Sequence, residues 1–255
     1  CLDVCGAVRR GRAERRGAAP DRCKVPRMAT TIRIEEQIEI PLSIRCLADF
    51  RRWATSQGYP ERGRIDYLAG SIEVEMSPGD FFCHGTLKGE IYARLHDRVK
   101  RLGLGHVVSD RTRVSCPAAD LSVEPDIVFL SHDSLGTGRV QLVPKAGEGP
   151  GRYIELEGPP DLVVEVVSDA SVIKDTRRLP ELYFRAGVLE YWLADARGAE
   201  LLFRIHRRGP SAFEAVVPDA EGFQASSLFS CAFRLEGTRD DRFHWAFDLR
   251  ERPIA

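Results

Sequence analysis

One apolar run constrains the fold more than any other feature of the chain. Residues 162–167 read Leu-Val-Val-Glu-Val-Val, which is the length and composition of a β-strand. Apolar residues at both alternating side-chain positions are typical of a central strand covered on both faces of a sheet. Glu165 lies inside this run. Burial of a carboxylate is costly unless it meets a cation, so Glu165 is a candidate site residue.

The segments around this strand predict a mixed α/β domain. Helices are expected over 47–56, 81–102 and 174–186, because apolar residues recur at helical spacing and a glycine follows each segment. The stretch 131–151, with several Gly and Pro residues, reads as a loop. Alternation of helices with strands favours one domain with a mixed sheet. Strands are expected at 64–76 (two, with a turn at 69–70), 106–109, 111–115, 124–130, 162–167, 190–195, 200–206 and 212–217.

Composition excludes several classes of protein. A chain that is 43% hydrophobic is not a disordered one. No apolar stretch reaches the 18 or so residues of a membrane span, so no membrane association is expected. The seven cysteines include no CxxC pair, which speaks against a zinc ribbon or a thioredoxin-like motif. An odd number of scattered cysteines also fits poorly with a disulfide framework. Because free cysteines are typical of a reducing compartment, we expect a cytoplasmic location.

The first 27 residues are strongly basic. They carry a net charge of +5, which leaves −6 on the rest of the chain. This segment is either a nucleic-acid-binding arm or transit peptide, or a translated upstream stretch outside the folded protein. We favour the second, because Met28 precedes an ordinary amphipathic sequence and the segment lacks the apolar core of a secretory signal. We therefore expect 1–27 to be a disordered or non-native extension and 28–255 to form a single domain.

Two acids on predicted strands form the candidate site. Asp126 follows Pro125 at the start of one strand, and Glu165 lies within another. Mg²⁺ takes oxygen ligands and is often held by one or two carboxylates, with substrate phosphate and water completing its shell. The pair therefore indicates phosphate chemistry. A turn aspartate plus a glutamate paired with Arg or Lys explains these two residues equally well. Asp161 lies roughly 13 Å along the strand from Glu165, too far to share an ion, and we interpret it as a turn residue.

Several segments resemble, in order, the Uma-type family of endonucleases. That family belongs to the PD-(D/E)XK superfamily, which has the restriction-endonuclease-like fold, and the resemblance covers roughly residues 45–235. The matching segments are Ile65-Asp-Tyr-Leu-Ala-Gly70, Glu75-Met-Ser-Pro78, Pro125-Asp126, Pro160-Asp-Leu-Val-Val-Glu-Val-Val-Ser168, Lys174-Asp175 and Tyr183-Phe-Arg-Ala-Gly-Val-Leu-Glu-Tyr-Trp-Leu-Ala-Asp195.

The resemblance implies an αβββαβ core, with a mixed central sheet flanked by helices and extra strands at the C-terminal end. Asp126 matches the acid of the PD dipeptide, and Glu165 matches the second acid of the motif. The two would hold Mg²⁺ (or Mn²⁺) together with the main-chain carbonyl of Val166. Asp66 matches a further acidic position, a third carboxylate acting through water. His84 matches a position where the family often has a histidine, which would orient water or phosphate. A helix-cap histidine packed under a loop explains His84 equally well.

The motif lysine is where this chain departs from the family. Val167 stands where the lysine is expected, and Leu179 stands where many relatives carry a lysine on the following helix. Lys174 is the nearest candidate for the role; the alternative is a solvated lysine in the first turn. Asp175 is expected to cap the helix that begins there.

Three functions compete on this evidence. The first is a Mg²⁺-dependent endonuclease that hydrolyses DNA and, as the resemblance implies, leaves a 5′-phosphate and a 3′-hydroxyl. The second is a catalytically weak or inactive nuclease-fold protein that acts as a nucleic-acid-binding or regulatory module. The third is a structural or oligomerising protein whose acids are ion-paired. A homodimer is expected by analogy with related nucleases. Tyr183, Tyr191 and Trp192 are expected to be core aromatics rather than base-stacking platforms.

Overall fold

A mixed sheet of six strands organises the computed structural model of the chain, which describes residues 31–34, 38–242 and 244–254. The predicted extension over 1–27 lies outside the described residues, and the single domain over 28–255 stays a prediction. The helices are α1 (Leu47–Ala54), α2 (Leu87–Leu102), α3 (His132–Gly136) and α4 (Leu179–Ala186). The strands are β1 (Thr31–Ile34), β2 (Ile38–Pro41), β3 (Arg64–Leu68), β4 (Ser71–Glu75), β5 (Gly105–Ser109), β6 (Arg113–Cys116), β7 (Leu121–Val123), β8 (Ile127–Ser131), β9 (Gln141–Pro144), β10 (Tyr153–Glu157), β11 (Leu162–Val166), β12 (Glu190–Asp195), β13 (Leu202–Arg208), β14 (Phe213–Ala215), β15 (Gln224–Ser226), β16 (Cys231–Arg239) and β17 (Trp245–Pro253).

The central sheet has the strand order β14-β13-β12-β11-β8-β5. Strand β8 lies between β5 and β11 and is antiparallel to both, and α4 then connects β11 to the parallel strand β12. Because α2 precedes β5, the chain order is αβββαβ. The predicted restriction-endonuclease-like core is therefore confirmed, and β13 and β14 extend it at the C-terminal side.

Insertions between the core strands build a second sheet. Strands β6 and β7 lie between β5 and β8 in the chain, and β9 and β10 lie between β8 and β11. Together with the hairpin β3–β4 they form a six-stranded sheet of order β4-β3-β7-β6-β10-β9. A third sheet, β15-β16-β17, packs its aromatic residues into the same core as α2. Within the described part of the chain, none of the helices is long and apolar enough to cross a membrane.

Strand β11 is covered on both faces, as its apolar run predicts. Leu162, Val164 and Val166 point into the core shared with α2, whereas Val163 and Val167 point into the core shared with α4. Side chains alternate along a strand, so Glu165 belongs to the α4 side. Its position there brings a carboxylate into an otherwise apolar layer.

The expected loop over 131–151 is wrong in part, because it contains α3 and β9. The Ser131 side chain caps α3 by accepting a hydrogen bond from the Ser134 N–H, and β9 pairs with β10. Pairing with a distant strand leaves little trace in local composition. The helices expected over 81–102 and 174–186 are confirmed, although each begins with a π-helical turn, at Phe81–Thr86 and Lys174–Arg178.

Candidate active site

The two strand acids lie side by side on neighbouring strands. Val164 of β11 is opposite Ile127 of β8, so the next pair along the ladder is Glu165 and Asp126. The main-chain N–H of Asp126 donates to Glu165 Oε2 at 3.3 Å, and the Val166 N–H donates to Asp126 Oδ2 at 2.8 Å. Directly opposite side chains share a face of the sheet. The structure therefore brings the two acids together on one side.

A third carboxylate reaches the same place from the second sheet. Asp66, on β3, is buried, and its Oδ1 accepts a hydrogen bond from the Glu124 N–H at 3.0 Å. Its Oδ2 accepts from Lys174 Nζ at 3.1 Å, and the same ammonium lies 3.6 Å from Glu75 Oε2. The predicted residues Asp66 and Lys174 are thus direct partners, although they are far apart in the sequence.

A single guanidinium faces all three carboxylates. Arg64 Nε lies 3.3 Å from Asp66 Oδ2, Nη1 lies 3.6 Å from Asp126 Oδ1, and Nη2 lies 3.5 Å from Glu165 Oε2. Sequence reasoning did not single out Arg64. The one signal for it is its spacing of two residues from Asp66 on β3, which places both side chains on the same face.

The two strand acids titrate at different pH values. Burial raises the pKa of Glu165 to about 8; Arg64 opposes this shift and Asp126 adds to it. Burial also disfavours the ionised form of Asp126, but the contact with His84 and the charge of Arg64 outweigh it and lower the pKa to about 2. Two carboxylates at close range share their proton unequally. At neutral pH and without metal, Asp126 is therefore the ionised member of the pair.

Lys174 is a buried lysine and not a solvated one. Only 6% of it is exposed. Burial and the neighbouring Arg64 disfavour its charged form, but Asp66 and further acids prevail and raise its pKa. Its ammonium therefore stays positive in the interior.

The capping role expected for Asp175 is wrong. Asp175 lies inside the turn Lys174–Arg178, and the N-cap position is occupied by Ile173. The turn begins earlier than expected, because the Asp175 main-chain N–H already donates to the Ser171 carbonyl at 2.8 Å. Its carboxylate is buried, Oδ1 has no hydrogen-bond partner among the described residues, and burial raises its pKa to about 6.

His84 approaches Asp126 from the helical side. Its Nε2 lies 3.4 Å from Asp126 Oδ2. Lys88, one turn further along, lies 3.9 Å from Asp126 Oδ1 and donates to Asp110 at 2.6 Å. A cleft of about 530 Å³ opens here and reaches the carboxylates from solvent; its lining includes Arg62, Arg64, Glu75, His84, Lys88 and Asp126.

Tyr183 holds Glu165 from the α4 side. It is a buried core residue, as predicted, and its hydroxyl also donates to Glu165 Oε1 at 2.7 Å. Tyr191 and Trp192 are likewise buried in the core. Helical and strand spacing predicts that these aromatic residues are buried, but it does not predict the hydrogen bond from the Tyr183 hydroxyl to Glu165.

The donor set suits a hard divalent cation. The carboxylates of Asp126 and Glu165, with the main-chain carbonyl of Val166, are the oxygen ligands that Mg²⁺ prefers. The position of Arg64 shows that a positive charge is drawn to the point where the acids meet. In the described residues, however, no three or more His, Cys, Asp or Glu side chains are arranged around a common metal position. The residue types fit such an ion, and in this structure the Arg64 guanidinium lies against both acids instead.

Comparisons with known proteins agree with this fold. A solved structure described as a putative nuclease belonging to DUF820, from Anabaena variabilis, superposes with a TM-score of 0.50 at 16% sequence identity. The match covers 72% of this chain and 90% of that one, and it shows a shared fold. No curated protein matches the chain. The sequence profile of Uma2, described as a putative restriction endonuclease, matches residues 47–235. This match takes in the whole αβββαβ core, and the chain therefore belongs to the Uma2 family.

Proposed function

We propose that this protein is a Mg²⁺- or Mn²⁺-dependent endonuclease that hydrolyses phosphodiester bonds in DNA. The observation that carries the proposal is the convergence of Asp66, Asp126 and Glu165, from two sheets, on a single cationic group. A cluster of buried acids is costly for a purely structural role. Membership of a family described as restriction endonucleases supports the same chemistry.

Asp126, Glu165 and the Val166 carbonyl are the groups that would hold the metal. Mg²⁺, when bound, supplies Lewis-acid stabilisation of the negative charge that develops on the phosphate. The chain fixes its ligands in advance: the Val166 N–H holds Asp126, and the Tyr183 hydroxyl holds Glu165. Preorganised ligands need no rearrangement at the moment of reaction.

Three residues around the two acids, the predicted His84 and Lys174 and the unpredicted Lys88, take supporting roles. His84 and Lys88 face the cleft beside Asp126, where they can bind a phosphate oxygen or orient a water molecule. Lys174 balances the charge of Asp66 and Glu75 rather than touching Asp126 or Glu165 in the described structure. Its contribution is therefore to fix Asp66, a positioning role.

DNA as the substrate, a homodimer and a cytoplasmic location are further parts of this proposal. The positive groups at the cleft, Arg62, Lys88 and Arg64, can attract a phosphate backbone despite the negative charge of the chain as a whole.

A nuclease fold with weak or no activity is the second candidate. Val167 stands at the motif-lysine position and is buried in the apolar core, so it supplies no charge to the site. Such a protein would bind nucleic acid and cleave it slowly or not at all.

A cleavage assay separates the two candidates. The protein is incubated with supercoiled plasmid and with single-stranded DNA, in Mg²⁺, Mn²⁺ or EDTA. Asp126→Ala and Glu165→Ala are compared with Asp97→Ala, an exposed acid on α2 outside the cleft. We expect metal-dependent nicking that both site variants lose and the control retains. Binding without cleavage would favour the second candidate, and neither binding nor cleavage would leave the ion-paired structural role.

A further inference from the structure

Arg64 is bound at the site in a manner unlike two other arginines of this chain that pair with acids, the buried Arg113 and the partly buried Arg139. Arg113 donates to Glu124 at 2.6 Å and to the Ser122 hydroxyl at 3.2 Å. Arg139 donates to Asp161 and to the Gly187 carbonyl, both at 2.8 Å. These hydrogen bonds are short and directed, as expected of a guanidinium with fixed partners.

Arg64 lacks such bonds. Its three contacts with carboxylates are 3.3 to 3.6 Å long, and neither Nε nor Nη2, both buried, has a hydrogen-bond partner among the described residues. The guanidinium is therefore held by charge and not by directed donation. A group held in this way can be replaced by any other cation that the carboxylates prefer.

The carboxylates differ in how far they depend on Arg64. Asp66 also has the ammonium of Lys174 at 3.1 Å. Asp126 has His84 at 3.4 Å and Lys88 at 3.9 Å, but Lys88 is already bonded to Asp110. Glu165 has no other cation within ion-pair distance in the described structure. Among the described residues, Arg64 is therefore the one cation within ion-pair distance of both acids that would hold a metal.

Arg64 also has a route out of the cluster. Its side chain is 20% exposed and lines the cleft that leads from the carboxylates to solvent. It is the first residue of β3, so its side chain can turn into the cleft while the strand stays paired. There it would lie beside His84 and Lys88, on the side from which a phosphate must enter.

We propose that Arg64 is an exchangeable counter-cation of the active site. It lies against Asp126 and Glu165 in the metal-free protein, a divalent ion takes its place there, and the displaced guanidinium then contacts the phosphate of the substrate. This inference rests on the metal site of the proposed function. It also gives the site the positive charge that Val167 does not supply.

The test measures metal binding and DNA binding separately, each without turnover. Mn²⁺ affinity is measured by titration calorimetry in the absence of DNA. DNA affinity is measured by fluorescence anisotropy with a labelled oligonucleotide in Ca²⁺. Arg64→Met removes the charge, and Arg64→Lys retains it. Arg62→Met is the matched control for the Mn²⁺ titration alone, because Arg62 lines the same cleft without an ion pair among the described residues. Circular dichroism and thermal unfolding in EDTA verify that each variant is folded.

We expect Arg64→Met to bind Mn²⁺ about tenfold more tightly than the wild type, because a competing positive charge is gone. The Mn²⁺ affinities of Arg64→Lys and Arg62→Met should stay within about twofold of the wild type. The same Arg64→Met protein should bind the oligonucleotide several-fold more weakly. A merely structural arginine would not produce these opposite shifts.

Other outcomes would contradict either this inference or the metal site of the proposed function on which it rests. Equal or weaker Mn²⁺ binding by a folded Arg64→Met variant overturns the exchange. Tighter Mn²⁺ binding with unchanged DNA affinity overturns the phosphate contact. If neither the wild type nor the variant binds Mn²⁺, the metal site of the proposed function itself is wrong.

Discussion

Replacement of Glu165 by glutamine should stabilise the metal-free protein at alkaline pH. The carboxyl has an ordinary pKa of 4.5 and a pKa of about 8 in the folded chain, chiefly because it is buried. The folded state therefore keeps a proton that the unfolded state has released. Stability falls as pH rises wherever the folded state binds more protons. Wild-type protein in EDTA should accordingly lose stability as pH rises from about 4.5 towards 8, and glutamine removes this loss.

The size of the effect follows from the shift of the pKa. Each unit is worth about 1.4 kcal/mol, so the full contribution approaches about 5 kcal/mol above pH 8. About 2 kcal/mol of it develops between pH 6 and 8. For a domain of this size that difference corresponds to roughly 4–8 °C in melting temperature. The window lies above the pKa of Asp175, which is raised to about 6 and acts in the same direction at lower pH.

Thermal or urea unfolding in EDTA at pH 6, 7 and 8 measures this difference. The advantage of Glu165→Gln over the wild type should grow by about 2 kcal/mol across the range. Asp97→Ala is the control, since it removes an exposed carboxylate of α2 that lies outside the buried cluster. A Glu165→Gln advantage that is flat with pH would show that the carboxyl titrates normally and that the buried cluster is misdescribed.

Three further changes test the supports of the site and the core. Tyr183→Phe removes the 2.7 Å hydrogen bond to Glu165; we expect about 1–2 kcal/mol lower stability and slower cleavage with DNA affinity unchanged, and equal rates would contradict the positioning role. Asp161→Ala should cost about 1–3 kcal/mol in urea unfolding, because the Ser131 main-chain N–H loses its acceptor and the partly exposed Arg139 loses its carboxylate partner; a loss below about 0.5 kcal/mol would contradict this. Gly105→Ala should give little folded protein, since the added Cβ would lie 1.9 Å from a carbonyl oxygen of β8 where φ is +155°; normal yield and melting would show that the strand can shift.

Local pattern was sufficient for the core of the fold. The apolar run at 162–167 identified a strand covered on both faces, and the helical spacing at 81–102 identified α2. Asp126 and Glu165 stood out because a charge in or beside an apolar strand needs an explanation. Asp161 was also correctly assigned to the turn before β11, where it accepts from the Ser131 N–H.

The features that the local sequence pattern did not predict depend on contacts between distant segments of the chain. Arg64 and Glu75 meet the site only because the hairpin β3–β4 folds against the core, more than fifty residues away in the chain from Asp126. The burial of Lys174 depends on the same packing. Strand β9 exists because it pairs with β10, not because its sequence favours a strand. Such partners become visible only when the sheets are assembled.

The most direct test of the account is a crystal structure of the protein soaked with Mn²⁺, with anomalous diffraction recorded at the manganese edge. The account predicts one strong peak within about 2.3 Å of carboxylate oxygens from both Asp126 and Glu165, with the Arg64 guanidinium moved into the cleft. Density that leaves Arg64 between the acids, with no anomalous peak at saturating Mn²⁺, would contradict it.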